Sequence, residues 1–191
     1  VRADDGQVVR LIGTIQDISS RIEAEERLRT LAFYDQLTGL ANRHLFDEKV
    51  ALALKLARRR RVAVAVLFVD VDQFKRINDT FGHSVGDKLL QAIAQRLRGL
   101  VRSTDPVMRP DTISSGDALA RLGGDEFILA LAEVAGGEDA ARVARRILDS
   151  SKEPFEIDGH EIVVTMSIGI SMFPDDGEQV EPLWKNADTA M

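Results

Sequence analysis

The sequence predicts an α/β domain, and three observations predict it. Residues 62–69 form an unbroken apolar run, Val-Ala-Val-Ala-Val-Leu-Phe-Val, the pattern of a central strand covered by helices on both faces. Residues 118–131 place two apolar runs around Gly123-Gly124-Asp125-Glu126, the pattern of a β-hairpin with a charged tip. Around these strands apolar residues recur at helical spacing, as at Leu45, Phe46, Val50, Leu54 and Ala57 and again at Leu89, Leu90, Ile93, Leu97 and Val101.

Composition narrows the class. In 191 residues, 45% hydrophobic and 29% charged suit a soluble globular domain with appendages. No apolar run reaches the length of a membrane span and no signal peptide opens the chain, so direct membrane insertion is not expected. The lack of cysteine excludes disulfides and thiolate metal sites and fits a reducing cytoplasm. A net charge of −6 argues against broad nucleic-acid binding, so an anionic substrate would need a local cation. The run of four arginines at Arg58, Arg59, Arg60 and Arg61 reads as favourable charge at a helix C-terminus.

Taken in order, residues 1–18 read as a turn and a strand that cannot fold alone. Residues 19–34 read as a linker helix with Ser20 and Glu23 as a capping pair and a narrow apolar stripe of Ile22, Leu28, Leu31 and Ala32. That stripe could pair with its copy in a dimer or pack on its own domain. The strand at 62–69 carries Asp70 to its C-terminal end, where open α/β sheets present ligand-binding groups; Asp72 is the weaker ligand candidate. Residues 73–80 read as a short helix and 84–101 as a longer one, with Ser84 and Asp87 as a simple capping arrangement or, alternatively, Asp87 facing a pocket with Asn78. The stretch 102–117 loses periodicity and carries Pro106, Pro110 and Gly116, marking a loop. A helix over 138–151, a second hairpin pairing 154–157 with 161–173 around Asp158-Gly159, and a last helix from Val180 complete the chain.

The chemistry concentrates in two stretches. At the hairpin tip the glycines can take φ > 0 and leave bare backbone to a phosphate, while Asp125 and Glu126 offer oxygen ligands to a hard cation. A solvated Gly-Asp turn is the alternative reading of those residues taken alone. The second stretch, residues 68–87, contains Asp70, Asp72, Phe74, Lys75, Asn78, Asp79, Gly82, His83, Gly86 and Asp87. The two resemble the signature segments of the GGDEF family of diguanylate cyclases, D-x-D-x-F-K-x-x-N-D-x-x-G-H-x-x-G-D and R-x-G-G-[DE]-E-F, at every fixed position. A third family segment, D-x-L-T-G-L-x-N-R, is matched from Asp35 to Arg43.

The resemblance covers about residues 35–191 and implies a central, mostly antiparallel five-stranded sheet flanked by helices, related to the palm of nucleotidyl cyclases and polymerases. It implies condensation of two GTP into cyclic di-GMP with release of two pyrophosphates, across a homodimer. Asp70, the carbonyl of Val71, Asp125 and Glu126 would hold Mg²⁺ or Mn²⁺, two ions per site. Asp125 would accept a proton and Lys75 would stabilise charge on phosphate. Asn78, Asp87 and, more weakly, His83 would read guanine, with Phe74, Gly123 and Gly124 also lining the substrate site. Residues 1–18 look like the tail of a PAS sensor domain, so the chain reads as a fragment, 1–18, 19–34 and 35–191, with its last helix cut short of a Lys and an Arg that contact the triphosphate in the family. A GTP-binding regulatory module controlling a downstream phosphodiesterase is the alternative. The family's inhibitory R-x-x-D site, which binds the product, would place its Arg at Ser114 here; Arg102 and Asp105 fit the pattern in a shifted register, and weak or no tight product binding is expected there.

Overall fold

The computed structural model describes residues 17–102 and 119–191. The chain divides into two compact units, residues 1–32 and 33–191. Strand expectations for residues 1–16, and the loop and Asp105 of the shifted inhibitory pattern, lie outside the described residues. So does the side chain of Arg102.

Helix α1 (Ser19–Phe33) has no buried residue, and Ile22, Leu28 and Leu31 are exposed along it. The capping pair expected at Ser20 and Glu23 is not what starts it: the helix begins at Ser19, whose amide donates to Asp17 Oδ1 at 2.9 Å. Helix α2 (Arg43–Arg60) begins on Asn42, whose side chain accepts from the Leu45 amide, and ends at Arg61 in the left-handed region. Its basic last turn meets acidic partners: Arg58 pairs with Glu178 at 2.7 Å and Arg60 with Glu133.

Strand β1 (Ala63–Val71) is followed by α3 (Phe74–Phe81), α4 (His83–Arg102), β2 (Leu119–Gly123), β3 (Glu126–Val134), α5 (Gly137–Ser151), β4 (Phe155–Ile157), β5 (His160–Ile162), β6 (Met166–Phe173) and α6 (Val180–Thr189). The main sheet has the order β2-β3-β1-β6, and each neighbouring pair is antiparallel. The expected five strands are therefore four in the main sheet among the described residues. The expected long hairpin arm from 161 is interrupted, because β5 folds back on β4 as a separate two-stranded ribbon before β6 joins β1. The Asp72 amide, donating to Thr165 O at 3.0 Å, ties down the break.

The register explains the continuous apolar run of β1. Its odd residues Ala65, Leu67 and Val69 pack with Phe127 and Leu129 of β3 and with Leu90, Ile93 and Ile147 of α4 and α5. Its even residues Val64, Val66 and Phe68 pack with Phe46 and Val50 of α2 and Leu183 and Ala187 of α6. A strand buried on both faces must be apolar at every position, and it stays so until Asp70.

Helix α6 lies unusually close to β6. On the face toward α6, β6 carries only small residues before Phe173: Ser171, whose hydroxyl donates to Leu183 O at 2.6 Å, and Gly169. A Cβ on Gly169 would stand 1.8 Å from the Ala187 carbonyl oxygen and 2.8 Å from the Met191 amide nitrogen. Helix α4 in turn grips the turn before α2, with Gln91 donating to Leu37 O at 3.0 Å and Arg98 Nη2 to Gly39 O at 2.9 Å.

Two glycine substitutions test this packing. Gly169→Ala drives a methyl into backbone that cannot swing aside and should lower unfolding stability by about 1–3 kcal/mol. Gly99→Ala, in α4 with nothing within 4 Å of its added methyl, should raise it by up to about 1 kcal/mol. Urea denaturation of both proteins measures the contrast; equal effects would contradict the close seating of α6.

Candidate functional site

The acidic residues meet at one end of the main sheet. Asp70 pairs directly with Glu126 across β1 and β3, and with Ser167 across β1 and β6. By strand alternation Asp70 and Glu126 project on the same face, the one covered further along by α2 and α6. Asp125 is at the tip between β2 and β3, and its carbonyl accepts from the Val71 amide at 3.3 Å. The turn needs its glycines: Gly123 has φ 147° and Gly124 φ 53°. Asp72 is occupied elsewhere, accepting from Thr165 Oγ1 at 2.5 Å and Ser167 Oγ at 2.7 Å.

The electrostatics of this corner are one-sided. Burial pushes the Asp70 carboxyl above the ordinary range, and repulsion from Asp125, Asp72 and Asp188 adds to it. Glu126 is raised by burial and then by Asp70, Asp125 and Asp188. Among the described residues, every charge that shifts these two groups is negative. Asp188, in the last turn of α6, is a member of this corner that the sequence reading did not identify. The only signal for it was that the last helix ends on the sheet's carboxylate side, which requires knowing the face on which α6 packs.

An all-oxygen donor set fits a hard divalent cation. Among the described residues no three acidic or histidine side chains converge on one point. That is compatible with Mg²⁺, which takes one or two carboxylates and completes its shell with water and phosphate oxygens. Asp70 and Glu126 are paired across the strands at this corner, and Asp125 lies at the adjoining tip.

The tip is held by a second motif. Arg121, only 11% exposed, donates from Nη1 to both Asp35 oxygens at 3.0 Å and from Nε and Nη2 to the Gly124 carbonyl at 3.1 and 2.8 Å. Although burial works against it, hydrogen bonds from Thr38 and the Arg121 guanidinium hold Asp35 below the usual carboxylate range. Sequence reasoning gave neither residue a role, and the available signal was a fixed Arg and a fixed Asp in two motifs without assigned chemistry.

The remaining sequence candidates lie on α3 and α4. Phe74 is buried, Lys75 is exposed, and Asn78 is half-buried with its Oδ1 shielded and without a hydrogen-bond partner. His83 is the first residue of α4 and Asp87 lies one turn on, both exposed. Ser84 falls inside the helix, so the Ser84 and Asp87 capping arrangement is not formed; α4 starts one residue earlier, after Gly82 at φ 86°.

A family model described as "Diguanylate cyclase, GGDEF domain" matches residues 32–191. The chain is 42% identical over 168 residues to the cyclic di-GMP phosphodiesterase NbdA of Pseudomonas aeruginosa, covering 88% of this chain and 20% of that protein. It is 38% identical over 183 residues to the diguanylate cyclase TpbB of the same organism, covering 95% of this chain and 39% of TpbB. A solved fragment of TpbB comprising only its GGDEF domain superposes with a TM-score of 0.72 at 40% identity, covering 82% of this chain and 85% of that one. The chain thus spans roughly a fifth to two fifths of the length of these curated relatives.

The two kinds of carboxylate should respond oppositely to substitution. Raised folded-state values at Asp70 and Glu126 mean that their contribution to stability is present below the unfolded carboxylate range, about pH 4, and is lost as pH rises through the folded values. Asp35, held low, contributes stability above that range and loses it as pH falls through its folded value. In metal-free protein at pH 7.5, Asp70→Asn should therefore raise the melting temperature and Asp35→Asn lower it, with the Asp70→Asn gain vanishing near pH 3.5. Added Mg²⁺ should raise the melting temperature of the unsubstituted protein and have little effect on Asp70→Asn. Scanning calorimetry with and without Mg²⁺ checks all four signs.

Proposed function

The chain belongs to the GGDEF family, and from that membership we propose that its folded domain is a diguanylate cyclase that condenses two GTP molecules into cyclic di-GMP. The observation that carries the reading is the direct pairing of Asp70 with Glu126 beside the Gly123-Gly124 turn, which puts two carboxylates and bare backbone at one sheet end. Asp70, the Val71 carbonyl, Asp125 and Glu126 would hold Mg²⁺ or Mn²⁺, two ions per site, which would supply a lowered pKa for the attacking hydroxyl and screening of the triphosphate.

The protein's own groups do the rest. The 3′-oxygen of each GTP forms a bond to the α-phosphorus of the other as that phosphorus loses its bond to the bridging oxygen, and two pyrophosphates leave. The hydroxyl proton passes to the Asp125 carboxylate. Lys75, next to Phe74 at the start of α3, stabilises charge on the phosphate, and the exposed Gly123 and Gly124 let the triphosphate approach the backbone. Asp87 accepts from the guanine N1-H and N2-H, Asn78 meets the same base, and His83 borders it. One domain holds one GTP, so two domains face each other and the homodimer is part of the site.

In the parent protein, residues 1–18 are proposed as the end of a PAS-like sensor and 19–34 as the helix linking it to the cyclase, in the cytoplasm. Among the described residues no helix is long and apolar enough to cross a membrane. Tight product binding at Arg102 and Asp105 is not expected. A second reading draws on the similarity to NbdA: the domain binds GTP and regulates a phosphodiesterase elsewhere in its chain.

Turnover separates the readings. Purified protein given GTP and Mg²⁺ should release cyclic di-GMP, identified by mass spectrometry, and Asp125→Ala should lower the rate by about 10²- to 10⁴-fold. GTP binding with no dinucleotide formed would favour the regulatory reading. Equal rates with and without the Asp125 carboxylate would sink the mechanism.

A further inference from the structure

Gly86 stands in the first turn of α4, within the helix, where glycine is less favourable than alanine. Its backbone does not require glycine, since its φ lies outside the left-handed region. What requires glycine is space. A Cβ at Gly86 would lie 1.9 Å from Asn78 Oδ1, 3.0 Å from Asn78 Cγ and 3.2 Å from Phe74 Cζ. Gly99, further along the same helix, has nothing within 4 Å of the corresponding point.

The carbonyl end of the Asn78 amide is therefore lodged where the Gly86 side chain would be. Its Oδ1 is shielded from solvent and accepts no hydrogen bond, and it lies along a Cα–H bond of Gly86, a contact that contributes weakly. With the carbonyl end seated in α4, the amino end is the part of the amide left to meet a ligand. Asp87, the next residue, is exposed beside it.

We propose that Gly86 is a specificity-positioning residue: the missing side chain is the seat that fixes the Asn78 amide, and so fixes which purine edge the site accepts. This rests on the reading of Asn78 and Asp87 as the guanine-binding pair. A methyl at position 86 meets the far end of a flexible side chain, not backbone, so Asn78 rotates away while α4 keeps its place. Phe74 has to yield only a few tenths of an ångström. The helix gains propensity while the base site loses its donor, and stability and recognition move in opposite directions.

The test is a double-mutant cycle read by calorimetric titration with the α,β-methylene analogues of GTP and ATP in Mg²⁺, alongside melting temperatures. Gly86→Ala should weaken the GTP analogue by about 10- to 100-fold, change the ATP analogue by less than about threefold, and leave the melting temperature equal or higher. In an Asn78→Ala background Gly86→Ala should have almost no further effect on binding, because the two residues act as one unit. Gly99→Ala should alter neither affinity. If Gly86→Ala proves unstable, relief of that instability by Asn78→Ala still supports the seat, and instability that Asn78→Ala does not relieve overturns it. Equal loss for both analogues, or additive effects in the cycle, also overturns it. An unsubstituted protein with no preference for the GTP analogue would instead refute the guanine reading beneath it.

Discussion

The guanidinium of Arg121 is the contact on which the acidic end of this domain depends. One planar group donates to both Asp35 oxygens and to the Gly124 carbonyl, joining the turn before α2 to the hairpin tip. Two positive-φ glycines make that tip compliant by themselves. A bidentate, nearly buried arginine removes the compliance in a way that a single ammonium could not. Glu126 and Asp125 are thus presented from a fixed turn, opposite Asp70 on a strand packed on both faces.

Much of this was legible in the sequence, and the reasons are specific. The run 62–69 announced a central strand because only a strand covered on both sides is apolar at every position. The Gly-Gly turn announced the hairpin, and the end of the apolar run at Asp70 announced where the sheet turns acidic. The features that escaped are those made by contact between distant segments. Asp35 and Arg121 are 86 positions apart, and no local pattern pairs them. Asp188 joins the acidic corner only because α6 packs on the Asp70 face. The strand count slipped for a local reason: residues 161–173 read as one arm, yet Val163 is exposed between buried Ile162 and Val164, and the chain leaves the ribbon there before β6 enters the main sheet.

The acidic corner illustrates a balance common to sites built for cations. Asp70 and Glu126 sit where burial and like charge both disfavour ionisation, with no cationic side chain among the groups acting on them. A fold selected for stability alone would place an arginine or lysine there. Among the described residues the repulsion is left unanswered, and the proposed divalent ion with a nucleotide's phosphates would have the charge and oxygen chemistry to answer it. Asp35 shows the opposite solution a short distance away, with its cation built in.

Helix α4 is a rod of 20 residues, about 30 Å long, and it carries two unrelated tasks at different points along its length. Its first turns hold His83, Gly86 and Asp87, while Gln91 and Arg98 further on grip the carbonyls of Leu37 and Gly39. A rigid rod cannot rotate at one end and stay still at the other. A displacement of those first turns must therefore load the turn that carries Asp35. The first turns of α4 and the turn that carries Asp35 are thus tied into one mechanical unit by a single helix.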